Sequence, residues 1–236
     1  DIGIAMGASG SDVTREAADM VLLDDNFASI VSAVEEGRAI YDNIQKVVHY
    51  LLSSNASEIL LVFVAAALGW PAPLLAVQLL WINLVSDGFP ALALAIEPPE
   101  RDVMRRRPHR PHEPVVTWAR GARILVYGSL MAIAGLVAFA AVYQQDAANL
   151  PQARTVTFCV VAFSQLFFAV SCRSERYTLP ELGPFSNPQL LAALIVSGLA
   201  QVCAHRKIIV PSRAPLHVRG EREFSVTPLD LPDPQQ

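Results

Sequence analysis

Cysteine is scarce in this 236-residue chain, and its three copies, Cys159, Cys172 and Cys203, show no CxxC spacing. An odd, dispersed set inside apolar segments supports neither a disulfide framework nor a thiolate metal centre, and reads as small packing residues. Charge is sparse as well. Only 17% of residues are Asp, Glu, Lys or Arg, and the net formal charge of −4 is spread over several segments, so nothing points to a nucleic-acid partner. The opening residues carry no basic stretch ahead of a long apolar run, which excludes a secretory signal there. A chain that opens Asp1-Ile2-Gly3-Ile4 is expected to be a piece of a longer protein. There is no internal repeat, and no low-complexity tract beyond a Pro- and Arg-rich link at 97–114.

What the chain does have is apolar residues, 53% of the total, gathered into blocks. Blocks of about 20 residues match the length needed to cross a hydrocarbon layer of about 30 Å. Four spans are predicted, near 47–68, 74–96, 122–143 and 155–172, with a shorter fifth at 190–204. The first 45 residues differ. Ile2, Ile4 and Met6 alternate with small neighbours as in a short strand, and Ser11 or Asp12 is placed to cap a helix through Ala18. A second short apolar run ends at Asp24-Asp25. Asn26 is then expected to cap an amphipathic helix with Phe27, Ile30, Val31 and Val34 at helical spacing. Strand, helix, strand, helix fits the closing edge of an α/β, Rossmann-like domain. The predicted fold is therefore mainly α: a polytopic helical membrane domain at 46–204, preceded by the α/β edge and a stalk at 1–45. Residues 205–236 are an atypical polar tail that cannot span a bilayer. It is read either as an unusual genuine tail or as the product of a slip in the reading frame near Val202, the slip being the favoured reading.

Arginine placement sets the predicted orientation. The link between the second and third spans carries Arg101, Arg105, Arg106, Arg107, Arg110, Arg120 and Arg123, whereas residues 69–73 carry no Lys or Arg. Arg173 and Arg176 follow the fourth span. The positive-inside rule then puts the N-terminal piece and both arginine-bearing links on the cytoplasmic side of an integral membrane protein, expected in the plasma membrane.

The informative residues are polar ones at membrane depth. Asn55 and Glu58 share one helix face, as do Asn83, Ser86 and Asp87. A carboxylate there costs several kcal/mol unless it is paired, hydrated or neutralised. Two such acids, flanked by amide and hydroxyl oxygens, make a hard-oxygen set suited to Ca²⁺. Ser53, Ser54 and Ser57 read instead as helix–helix packing. Beside Asp87, the helix-weak Gly88 and helix-breaking Pro90 are expected to unwind the span and turn backbone carbonyls toward a cavity.

On these residues the chain resembles the P-type ATPases, in the branch that includes calcium pumps. DIGIAMGASGSDVTREAADMVLLDDNF, with the run through Lys46, is similar to the end of that family's phosphorylation domain and its stalk. SSNASEILLVF, beginning at Ser53, and QLLWINLVSDGFPALAL, beginning at Gln78, resemble its fifth and sixth membrane helices, and the match continues to Gln201. The resemblance implies that Asn55, Glu58, Asn83, Ser86 and Asp87 are cation ligands. Gln165 stands where two-site calcium pumps carry a Glu in the eighth helix, which implies one cation per cycle. It further implies ATP and Mg²⁺ in the full-length parent, upstream nucleotide-binding and actuator domains as partners, and the lipid bilayer as surroundings.

The implied function is export of Ca²⁺ by phosphorylation-driven alternating access. Mn²⁺ and Na⁺ accept the same oxygens, and a truncated, non-enzymatic remnant or regulator is the rival from another class. A secondary transporter would show a repeat of its first half in its second, and there is none. The family's DKTGT motif, whose Asp takes the phosphoryl group, and its GDGxNDAP segment are not in this sequence. Residues 1–236 expressed alone are therefore expected to hydrolyse no ATP, and vanadate-sensitive phosphate release from the purified segment is the measurement that checks it.

Overall fold

The computed structural model describes residues 2–108, 114–144, 149–183 and 185–204. The expected polar tail at 205–236, and Arg110 in the arginine-rich link, lie outside the described residues. The chain is mainly helical, in the order β1 (Ile4–Met6), α1 (Asp12–Ala17), β2 (Met20–Leu22), α2 (Ala28–Ala67), α3 (Ala76–Trp81), α4 (Gly88–Ala95), α5 (Trp118–Tyr143), α6 (Leu150–Ser171), α7 (Leu179–Leu182) and α8 (Pro188–Ala204). A π-helical turn, Ile82–Ser86, joins α3 to α4, and a 3-10 turn, Val103–Arg105, lies in the following link.

The two strands pair in parallel, Ile4 opposite Met20 and Met6 opposite Leu22, with α1 as the crossover that a parallel pair requires. Ser11 begins α1, its Oγ accepting from the Thr14 amide at 3.3 Å. Asp25 has φ 52° and accepts from the amides of Ala8 and Ser9, each at 2.8 Å, which fixes the turn after β1. The Ser9 side chain first, and then the amides of Ala8 and Ser9, hold its carboxyl below the usual carboxylate range.

Asn26 does not occupy the cap of α2. Phe27 takes that position, and Asn26 acts one residue earlier, its Oδ1 accepting from the Ala28 amide at 2.9 Å. Asp24 holds it there by accepting from the Asn26 amide at 3.2 Å. From Ala28 the helix runs without a break for 40 residues to Ala67, then closes at Gly69, whose φ of 69° suits a glycine C-terminal stop.

Among the described residues, four helical stretches are long and apolar enough to cross a membrane: α2, the combined Ala76–Ala95 stretch, α5 and α6. Pro188–Val202 is apolar but shorter. The expected unwinding beside Asp87 takes a milder form. The helix stays closed and widens instead, with the Asp87 amide donating five residues back to Ile82 O at 2.9 Å. Pro90 has no N–H to offer the Ser86 carbonyl, and one wide turn takes up that misfit while Ala91 N still reaches Asp87 O at 3.0 Å.

Helix α5 shows how the bundle is assembled. Ile124, Gly128, Met131, Ala132, Gly135 and Phe139 are its buried residues, whereas Leu125, Val126, Leu130, Ile133 and Val137 are exposed. A helix that is apolar on both faces is one that meets lipid on one of them. It lies between α2 and α6. A Cβ on Gly128 would stand 3.0 Å from Ala56 Cβ and 3.1 Å from Ser53 O, so the α2 and α5 backbones are in near contact there.

The loops at the far ends of these helices are locked by ion pairs. Glu97, 6% exposed, accepts from Arg173 Nη2 at 2.7 Å and from Asn187 Nδ2, while Asn43 Nδ2 reaches its backbone oxygen at 2.7 Å. Arg106 binds Asp42 at 2.6 Å together with Glu100 and Asp102. Its hydrogen bond pulls the Asp102 carboxyl down to about 2 and raises the guanidinium in return. A carboxyl lowered from its free value of about 3.9 lends its stability above that pH and loses it as pH falls through about 2.

The close crossing at Gly128 is open to test. Gly128→Leu forces α2 and α5 apart and is expected to cost about 1–3 kcal/mol, the range for overpacking. Thermal unfolding in detergent micelles should show a lowered midpoint, whereas Leu130→Phe on the exposed side of α5 should shift it little.

Candidate functional site

At membrane depth, two carboxylates stand among side chains from α2, the π-helical turn, α6 and α8. Glu58, 5% exposed, sits on α2 between Tyr50 and Leu61, which belong to separate apolar clusters. Its Oε2 accepts from Asn83 Nδ2 at 2.8 Å and its Oε1 from Gln165 Nε2 at 3.1 Å. Three segments far apart in the chain thus converge on one acid. Asp87 is fully buried at the exit of the π-helical turn, and its Oδ1 accepts from Tyr50 Oη at 2.8 Å. Ser86, beside it, is also fully buried and is paired with Gln201 Nε2 of α8.

Local structure explains this convergence. The wide turn between Ile82 and Ser86 shifts the helix register by part of a turn just before Asp87. Asn83 then faces Glu58, while Ser86 and Asp87 face α8 and Tyr50. Helix α6 supplies Gln165 from its buried face, flanked by Ala162, Leu166 and Ala169.

The predicted site residues are not all used alike. Glu58, Asn83 and Gln165 form one hydrogen-bonded group, and Ser86 and Asp87 stand in adjoining ones. Asn55 is not joined to them. Its Nδ2 donates to Leu51 O at 2.8 Å, back along its own helix. The three serines read together as packing also part company. Ser53 and Ser57 bond to the carbonyls of His49 and Ser54, each at 2.7 Å, whereas Ser54 Oγ is buried with no hydrogen bond.

Two residues of the site were missed in the sequence. Tyr50 carried a usable signal, since Tyr50, Ser54 and Glu58 recur every four residues along one face of α2. Gln201 carried only a weak one, as a lone amide late in an apolar segment.

The chemistry of the group lies in its unused oxygens. Asp87 Oδ2, Gln165 Oε1, Gln201 Oε1 and Ser54 Oγ are all buried without a hydrogen-bond partner. Each can accept, and leaving an acceptor unanswered in a dry interior costs about 1–3 kcal/mol. Among the described residues neither Glu58 nor Asp87 has a Lys, Arg or His partner. No group of three or more His, Cys, Asp and Glu side chains stands together among them either. The arrangement therefore suits a ligand that accepts carboxylate, amide and hydroxyl oxygens together, which is the preference of a hard cation.

Comparison with known proteins agrees with that chemistry. The family described as cation transporting ATPase, C-terminus, matches residues 71–208. A calcium-transporting ATPase of Bacillus subtilis is 45% identical over 197 residues, covering 84% of this chain and 22% of the relative. The human calcium-transporting ATPase type 2C member 2 is 38% identical over 202 residues, covering 86% and 21%. An endoplasmic reticulum calcium ATPase of Aspergillus fumigatus is 45% identical over 201 residues, covering 84% and 19%. The chain spans about a fifth of the length of these relatives.

The Tyr50 contact yields a direct test. Tyr50→Phe removes the hydroxyl that donates to the Asp87 carboxylate and keeps the ring, so it is expected to lower stability by about 1–3 kcal/mol. Ser53→Ala removes only a bond along its own helix and should cost less. Thermal unfolding of the two variants side by side, in cation-free detergent buffer, is the comparison to make.

Proposed function

The chain belongs to the cation-transporting ATPases, whose C-terminal membrane region it carries, and on that premise we propose that it is the ion-binding part of an ATP-driven pump exporting Ca²⁺ from the cytoplasm. The observation that carries this reading is the pair of buried carboxylates, Glu58 and Asp87, bonded only to neutral donors and surrounded by unanswered oxygens. A structural acid in a bilayer would be expected to find a basic partner. These two are placed to receive one as cargo.

In this proposal Glu58 and Asp87 supply the charge, and Asn83, Ser86 and Gln165 supply neutral oxygens once a cation displaces their present bonds. Asn55 joins if its amide swings away from Leu51. With Gln165 neutral, this segment contributes two negative charges, and the site for one cation per cycle is completed by a Glu from the fourth membrane helix of the parent protein, upstream of this segment. Residues 1–45 close the α/β phosphorylation domain of the parent protein, whose other parts bind ATP and Mg²⁺ and carry the phosphorylated Asp. Residues 46–204 form the membrane domain in the plasma membrane, with the N-terminal segment cytoplasmic. The relatives named as calcium transporters favour Ca²⁺ over Mn²⁺ or Na⁺.

The test uses the full-length protein. Asp87→Asn keeps the shape and removes a charge, and should weaken divalent binding by about 3–5 kcal/mol, about two to four decades in affinity. Phosphorylation from ATP, which needs the cation, should be lost. Phosphorylation from inorganic phosphate, which in this family needs the empty site, should persist. Glu58→Gln should behave alike, and Ser53→Ala should stay near wild type. Titrating Ca²⁺, Mn²⁺ and Na⁺ in turn identifies the ion, and unchanged affinity in Asp87→Asn would overturn the assignment.

A further inference from the structure

A second polar site lies beyond Tyr50, whose ring stacks on the cavity-lining Phe168 with centroids 6.2 Å apart. A cavity of about 560 Å³ opens where α2, α5 and the end of α6 meet the arginine-bearing link. Its walls carry six cationic side chains, Lys46, Arg106, Arg107, Arg120, Arg123 and Arg176, against three acids, Asp42, Glu100 and Glu175. Asp102 adds a fourth acid from outside the walls by binding Arg106 and Arg176. Cations still exceed acids by six to four, and Arg107 has no acidic partner among the described residues.

Burial sharpens the argument. His49 lines the cavity, is 7% exposed, and has Nδ1 without a hydrogen-bond partner. Arg120 Nε is likewise buried and makes no hydrogen bond, the Glu175 carboxylate lying 3.5 Å away. Buried polar atoms left unanswered are costly, and a guanidinium fork matches the oxygens of a phosphate.

Tyr127, Phe168 and Cys172 give part of the wall an apolar surface, beside the polar Gln45, Ser171 and Ser174. His49 meets the rings of Tyr127 and Phe168 edge-on, with centroids 5.8 and 5.6 Å away. Three residues on from Arg123 and Tyr127, α5 exposes Val126 and Leu130, and Trp118 at its start is 92% exposed, the placement of an aromatic side chain at a bilayer surface. Basic pockets between membrane helices are suited to anionic headgroups.

We propose that this cavity binds the phosphate of an anionic phospholipid, its acyl chains lying along the exposed apolar face of α5. A free phosphate would use the charges but gain nothing from the apolar wall, which is why the lipid is the better occupant. Arg123 and Arg107, at the rim, meet the headgroup first, and His49 and Arg120 answer it at depth.

The test takes the full-length protein in phosphatidylcholine nanodiscs, without ATP or transported ion, so the reading is independent of the pump proposal. Short-chain phosphatidic acid, phosphatidylcholine of equal chain length and inorganic phosphate are each titrated against the unfolding temperature. Phosphatidic acid should raise it saturably, and the other two should not. Arg107→Gln with Arg123→Gln, both at exposed positions, should raise the half-saturating concentration of phosphatidic acid about tenfold. Arg123 also pairs with Glu175 at 3.1 Å, so Arg107→Gln alone, which breaks no ion pair among the described residues, should shift it in the same direction. An equal shift from phosphatidylcholine, or an unchanged half-saturation in the double variant, would overturn the proposal. Equal potency of inorganic phosphate would overturn the lipid as its occupant.

Discussion

A carboxylate carried into a hydrocarbon layer has no water to turn to, so every partner it gets must come from the protein itself. That constraint organises the middle of this bundle. Glu58 draws Asn83 and Gln165 to itself, which ties α2 to the π-helical turn and to α6. Asp87 draws Tyr50, and Ser86 draws Gln201 of α8. The apolar clusters on either side supply contact area without direction, since lipid tails are as apolar as the side chains that pack there. Hydrogen bonds at membrane depth give these helices their register.

A different solution holds at the helix ends. There the ions pair with one another: Arg173 with Glu97, and Arg106 with Asp42, Glu100 and Asp102. Water and lipid headgroups are within reach of the outer members of that layer, and salt bridges become affordable as positioning devices. The contrast between the two layers is informative. Of the four buried acids among the described residues, Glu97 and Glu100 have arginine partners, and Glu58 and Asp87 do not.

Much of this was legible in the sequence, and the reasons are physical. Apolar blocks long enough to span a bilayer announce helices. Glu58 and Asp87 announce themselves by the cost of placing them there, and Asn83, Ser86 and Gln165 follow by face or by resemblance. What was not legible depends on pairing between distant segments. Tyr50 and Gln201 are ordinary residues until folding sets them against Asp87 and Ser86, and the inward turn of the Asn55 amide is a rotamer choice no spacing records. The local response to Pro90 was also hidden. A missing N–H can be absorbed by unwinding or by one wide turn, and only the packing of Ile82 and Ser86, both fully buried, decides between them.

The unbroken course of α2 has a mechanical consequence. Forty residues of helix make a rod about 60 Å long, and the stretch from Ala28 to Glu58 accounts for about 45 Å of it. Pivoting such a rod by five degrees about Glu58 would carry its Ala28 end sideways by about 4 Å, while the contacts of Glu58 with Asn83 and Gln165 would change mainly in angle. Small angular error at the oxygens thus corresponds to a large stroke at the soluble end. Geometrically the helix is a long lever arm, in which a displacement of a few ångström at Ala28 corresponds to a rotation of only a few degrees at Glu58.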